Sequence, residues 1–178
     1  MLRCRFNFAL EGGRVAIYEA PNAMPRLQLL SRFRVIPRRD DIFAALTNAA
    51  FNPREEVILE TAPEPAPRPA ANAGTVRLLD SSMDYLTLEA DVPSPSILLV
   101  TDTYAKGWRA LPLAGTVQSL YRVLPANYCL RAIPLAAGHH HLRLEYRPTG
   151  FVIGKWVTLV SLLVFLGLFA LWGRKRAA

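Results

Sequence analysis

The sequence predicts a mainly β protein: an antiparallel β-sandwich with one short helix in its N-terminal part and a single C-terminal transmembrane α-helix. Three observations predict it. Between residues 75 and 147, short runs alternate apolar and polar residues with period two and are separated by Pro and Gly. One early segment, 38–51, places apolar residues at helical spacing instead. The chain closes on 22 residues, Phe151–Trp172, that carry a single charge, Lys155.

Taken in order, "RVAIYEA" puts Val15 and Ile17 on one face of a strand, and "PNAMP" follows as a turn. "RLQLLSRFRVIP" is one longer extended run closed by Pro37. "RRDDIFAALTNAAF" is the short helix: Asp40 or Asp41 accepts from the open N–H groups at its start, Ile42, Phe43, Leu46 and Ala49 make its apolar face, and Asn52-Pro53 stops it. "EEVILE" is a strand. Residues 62–73 hold Pro63, Pro65, Pro67 and Pro69; proline fixes φ and lacks a donor, so this is an extended connector. It divides a strand/helix/strand segment, 1–61, from a sandwich domain, 74–148.

Within that domain "TVRLLD" and "YLTLEADV" form a pair, the second with Leu86, Leu88, Ala90 and Val92 on one face. "PSPSILLVTD" is apolar throughout Ile97–Val100, as a central strand is. "YCLRAIPL" is a further strand. "HHHLRLEYRP" turns Leu142, Leu144 and Tyr146 inward and Arg143, Glu145 and Arg147 outward. Residues 151–172 then span roughly 33 Å as a helix, against a hydrocarbon core of about 30 Å. Trp156 and Trp172 bracket the run where indoles favour the interface, and residues 173–178 are a basic tail.

The formal charge is +7, of which Arg174, Lys175 and Arg176 supply three. That tail flanks a membrane span, and no dense basic helix accompanies it, so nucleic acid is not an expected partner. The N-terminus lacks the apolar core of a signal peptide. Cys4 and Cys129 make no CxxC pair and no zinc set, and the sequence leaves their pairing open. No P-loop, GxSxG, HExxH or GxGxxG occurs, and no cofactor is expected. Asp40-Asp41 and Glu55-Glu56 begin elements, where acids cap and solvate; no catalytic residue is assigned. His139, His140 and His141 read as exposed residues at a strand start. Only His139 and His141 share a face, without an acidic or cysteine partner nearby in sequence, so no metal site is assigned.

The most distinctive cluster is Tyr104, Gly107, Trp108 and Arg109. Aromatic faces stack on pyranose rings and a guanidinium donates to hydroxyls or phosphate; the competing reading is a strand end, a glycine turn and a tryptophan that plugs the sandwich. Tyr121, Asn127 and Tyr128 complete the candidate binding residues.

"TDTYAKGWRA", then "LPANYCLRAIPLAAGHHHLRLEYRP", then an apolar helix, resemble the C-terminal end of YfhO-like bacterial membrane proteins; so does "VAIYEAPNAMPRLQLL" with the later "FNPREEVILE". The resemblance implies the extracytoplasmic β-domain and last membrane helix of a multi-spanning protein that looks like a lipid-linked-sugar glycosyltransferase. Such proteins are associated with glycosylation of cell-envelope polymers. The pattern departs at Ala114-Gly115, where the family has an Asp-Gly turn, and the multi-spanning core is absent from this sequence. No catalytic residue therefore carries over.

The expected partners are the lipid bilayer, a lipid-linked sugar or envelope polymer, and the multi-spanning part of such a protein. Basic residues count three on each flank of the span, Arg143, Arg147 and Lys155 against Arg174, Lys175 and Arg176. The consecutive tail charges and the resemblance together place the tail in the cytoplasm and the β-domain outside. The expected role is non-catalytic, and the chain reads as a fragment of a larger protein; the alternative is a tail-anchored glycan- or protein-binding module.

Overall fold

The structure, a computed structural model, describes the backbone of residues 3–10, 13–70 and 72–177, and the side chains of 20–70, 72–167, 169 and 172. It is mainly β, with one short early helix and one long apolar helix at the end. The strands are β1 (Arg3–Leu10), β2 (Gly13–Glu19), β3 (Leu27–Leu30) and β4 (Arg32–Val35), then after α1 (Arg39–Leu46) β5 (Glu56–Leu59), β6 (Thr75–Ser81), β7 (Tyr85–Val92), β8 (Ser96–Thr103), β9 (Trp108–Pro112), β10 (Leu124–Ala126), β11 (Leu130–Leu135) and β12 (Gly138–Tyr146); α2 (Thr149–Ala177) follows.

β1 and β2 pair antiparallel as a hairpin. The sequence reading missed β1, although "RCRFNFAL" alternates in period two. The faces assigned to Val15 and Ile17, and the side chain of Cys4, lie outside the described residues; Cys129 is a free, exposed thiol.

Two sheets form the body, ordered β3-β8-β11-β10-β5-β4 and β6-β7-β12-β9. "RLQLLSRFRVIP" is not one strand but two, β3 and β4, which stand at opposite ends of the six-strand order although only Ser31 separates them. Five strand spacings in a flat sheet put its edges roughly 24 Å apart, whereas two Cα steps reach no more than about 7.6 Å. The sheet therefore curls until its edges nearly meet at Ser31.

Curling gives the sheet an inside and an outside. Leu30, Val57, Leu59, Ile97, Leu99, Ala126 and Ala132 are buried together, and Phe33 packs on them, so all six strands line the inside. The alternate residues Leu98, Val100, Ile133 and Leu135 face outward and meet Leu86, Leu88, Ala90, Val92, Leu142 and Leu144 of the four-stranded sheet. This second cluster is the sandwich core. β3, β4 and β5 precede the proline-rich segment and share their sheet with β8, β10 and β11, which follow it. That segment marks a change of composition and does not mark a change of sheet. Arg68 N–H at its far end donates to Pro95 O at 2.8 Å.

All neighbours are antiparallel except β4 and β5, which run parallel. A parallel pair needs a crossover of a dozen or more residues, and α1 lies in it. No side chain caps α1: the N-cap is Arg38, and Asp40 and Asp41 sit inside the first turn, where they favour the positive end of the helix. The helix ends at Leu46, before Asn52-Pro53, with the Thr47 hydroxyl bonded to Phe43 O and Ala44 O. Ile42 is buried, whereas Phe43 and Ala49, expected on the apolar face, are exposed.

Within the sheet the thinnest pairing is that of β10 with β5, which meet only through Ala126 and Leu59. Asn127 supplies the rest: its N–H donates to Ile58 O and its Oδ1 accepts from Ile58 N–H, both at 2.8 Å. Asn127 and Tyr128 hold φ of 44° and 71°, the left-handed region that asparagine tolerates best among side-chain-bearing residues.

The Thr149–Gly167 part of α2 is long and apolar enough to cross a membrane, with mean hydropathy 1.9, and none of it is buried against the sheets.

Two substitutions separate what Asn127 contributes. Asn127→Gly keeps the backbone conformation and loses only the acceptor for a buried N–H, which costs about 1–3 kcal/mol. Asn127→Ala adds a left-handed backbone penalty of about 1–2 kcal/mol. Denaturant unfolding of the purified chain in detergent should rank wild type above Gly, and Gly above Ala.

Candidate functional site

The candidate site is the end of the sandwich from which α2 leaves. β8 ends at Thr103 and β9 begins at Trp108, so Tyr104–Gly107 turn the chain from the six-stranded to the four-stranded sheet. Tyr104 N–H donates to Cys129 O at 2.7 Å, Trp108 N–H to Ala105 O at 3.1 Å, and Arg147 N–H to Gly107 O at 2.8 Å. Gly107 is required for this approach: a Cβ there would lie 2.7 Å from Tyr146 Cε2 and 3.0 Å from Pro148 Cα.

Trp108 pairs with Tyr146 in the register of β9 and β12, their ring centroids 5.4 Å apart. From the other sheet, the Arg131 guanidinium lies 3.8 Å above the Trp108 ring. Trp108 thus joins the two layers at this end, half-buried against the sandwich core. Tyr146, expected inward, is exposed and packs on Trp108 at the margin.

Arg131 is the charged residue on which the site is organised. Its side chain is 3% exposed, and its Nη2 pairs with Asp102 Oδ2 at 2.9 Å. Arg26 engages the same carboxylate through Nε at 3.1 and 3.2 Å and Nη2 at 2.9 Å. Two cations share one carboxylate, and Arg131 Nη1 is buried without a hydrogen-bond partner. Burial draws the Arg131 pKa below its ordinary value, Asp102 opposes that, and Arg26 adds to it. Stacking on Trp108 supplies the cation with favourable contact that hydrogen bonding does not complete.

The other candidates separate. Tyr104 and Tyr128 lie at this end, linked through Cys129. Arg39 of α1 donates to Tyr128 O at 3.0 Å and stands 4.6 Å over its ring, and Phe43 meets the ring edge. Arg109 faces outward and forms an ion pair with Glu145, its Nε 2.6 Å from Oε1. Asn127 holds β10 to β5 within the curled sheet.

Tyr121 belongs to a different cluster. It is buried and bridges to Ala110. Its hydroxyl contacts both the Thr116 hydroxyl and His140 Nδ1, the latter at 2.7 Å. His140 Nε2 lies 2.9 Å from Ala136 O, which only accepts, so Nε2 carries the proton and Tyr121 donates to Nδ1. His140 is fully buried, which corrects its expected exposure. The reason is that segment 113–123 runs beside β12, with Leu113 and Val117 N–H bonded to His141 O and His139 O. Burial lowers the His140 pKa, against the Ala136 hydrogen bond, and raises that of Tyr121. His139 is flanked by Asp91 at 2.8 Å and Glu89 at 3.5 Å across the strand. Among the described residues no group of three or more His, Cys, Asp or Glu is arranged to hold a metal.

Sequence reasoning missed Arg26, Asp102 and Arg131. A signal existed for Arg131, the only charge in the apolar strand "YCLRAIPL". Nothing in sequence tied it to Asp102, 29 positions upstream, to the still more distant Arg26, or to a ring on the other sheet.

Two predictions follow from these geometries. Asp102→Asn strands a buried cation and should cost about 3 kcal/mol, whereas Arg26→Ala, at an exposed pair, should cost less than about 1 kcal/mol; urea unfolding measures both. A histidine held neutral stabilises the fold fully above its ordinary pKa of about 6.5. That stability is lost as pH falls below this value, because the unfolded chain binds a proton that the folded one resists. Thermal melting between about pH 5 and 8 should show the decline in wild type and a flatter profile in His140→Gln.

Comparison of the chain with family models, with curated proteins and with solved structures finds no match.

Proposed function

We propose that this chain is a non-catalytic β-domain held at the outer face of a bacterial cytoplasmic membrane by α2, with its basic tail inside. Its role is to serve a membrane-integral, YfhO-like glycosyltransferase by positioning the lipid-linked sugar or the envelope polymer. The observation that carries the reading is the junction. The last sandwich strand ends at Tyr146, and a helix long and apolar enough to cross a bilayer begins at Thr149. Two intervening residues leave no spacer, so the Trp108 end of the sandwich would stand at the lipid surface, where a lipid-linked sugar is presented. The resemblance of 101–147 supplies the sugar chemistry, with Tyr104 and the exposed Tyr128 as rings on that end. Trp108 contributes by holding the end together, its ring covered by Arg131.

Proteolysis of intact against lysed cells tests the topology. The sandwich should be cut in intact cells and an epitope on the tail only after lysis; the reverse pattern overturns the outward orientation. Deleting residues 20–148 with the helix retained should lower the sugar content of an envelope polymer by composition analysis. Unchanged content overturns the accessory role and favours a tail-anchored binding module.

A further inference from the structure

We propose that the α2 end of the sandwich is itself a lipid-docking surface, which seats on the headgroup layer of acidic phospholipid. The inference rests on the bilayer reading of α2 and is independent of any sugar chemistry.

Two loops are fastened to the residues that precede the helix. Tyr146 N–H donates to Asp84 O at 2.7 Å, which brings the β6–β7 turn, Ser82–Asp84, to the junction. Arg147 N–H donates to Gly107 O, which brings Tyr104–Gly107 there as well. Both loops are hydrogen-bonded to residues two and three positions before α2. A chain that enters a bilayer at Thr149 therefore carries both loops to its surface.

What these loops display matches an interface. Met83 is 100% exposed at the tip of the first, an apolar side chain that no part of the domain covers. Lys106, on the second loop, and Arg147, bonded to that loop through Gly107, are exposed as well, and Lys155 follows on α2 within about 9 Å of its start, 5.8 Å from the Trp156 ring. Among the described residues none of these three cations has a carboxylate partner, whereas most arginines of the sheets do. Against these three cations the first loop carries one exposed carboxylate, Asp84, whereas Asp102 on β8 is already shared by Arg26 and Arg131. The opposite end of β7 and β12 carries Asp91 and Glu89 around His139. The cationic, apolar-tipped end is thus the one aimed at lipid. Basic residues beside an acidic bilayer are attracted to it, and a lone apolar tip is stabilised within the headgroup boundary.

The test uses the full chain in nanodiscs of phosphatidylcholine alone, or of phosphatidylcholine with phosphatidylglycerol, and reads amide hydrogen exchange. Exchange of 82–84 and 104–107 should slow several-fold when phosphatidylglycerol is present. The effect should vanish in high salt, and in the double variant Lys106→Glu, Arg147→Glu. The distant β11–β12 turn, 136–138, should be indifferent to lipid. Equal exchange of the two loops in both lipids overturns the proposal, as does equal slowing at the distant turn. Should the double variant fail to fold, the salt comparison on wild type decides. A chain that does not enter nanodiscs at all overturns the bilayer reading as well; one that enters without lipid dependence overturns only the docking.

Discussion

A single residue, Ser31, joins the two edge strands of a six-stranded sheet, and the rest of the architecture depends on that constraint. A flat sheet cannot have edges one residue apart, so the sheet curls and acquires an enclosed side. The enclosed side must then be apolar from every strand, and it is, from Leu30 through Val57, Leu59, Ile97 and Leu99 to Ala132. The outer side of β3, β8 and β11 remains apolar as well, and a second layer must bury it. The sandwich is the consequence: β6, β7, β9 and β12 cover what the curl turns outward. Asn127 is the clasp, because its side chain performs the hydrogen bonding of a strand residue where β10 and β5 have only one paired position.

Charge is handled differently at the two ends of the sandwich. Near α2, Arg131 is taken into the layer boundary, neutralised in part by Asp102 and covered against Trp108. Burying a cation is expensive unless it is paired, and the arrangement ties the two sheets together at this end. Farther along β12, His140 is buried neutral, with donors and acceptors ordered from Thr116 through Tyr121 to Ala136. The second cluster fastens the irregular segment 113–123 onto β12, while backbone hydrogen bonds to Cys129 and Arg147 hold 104–107.

Several of the residues that drew attention as binding candidates also have a structural part. Tyr121, Asn127 and Trp108 are unusual in the sequence because their local geometry is demanding: a buried hydroxyl, a left-handed backbone, a ring between layers. Demanding structural positions and binding positions draw on the same residue types, and sequence pattern alone does not separate them. Tyr104 and Tyr128 keep open surface, which leaves them suited to contact something outside the chain.

By itself, the sequence determined the class of the protein: strands of period two, one short helix, and a closing helix apolar enough to cross a bilayer. Those features are local, since period and length are read within a window of a dozen residues. Tertiary structure alone decided the rest, because each remaining feature depends on residues far apart in the chain. The break of "RLQLLSRFRVIP" into two strands follows from pairing with β8 on one side and β5 on the other. The parallel β4–β5 pair, the sharing of one sheet across the proline-rich segment, the burial of His140 under segment 113–123 and the meeting of Arg26, Asp102, Arg131 and Trp108 all arise the same way. Alternation tells a side chain which face it takes; only the closed sheet tells it what that face will meet.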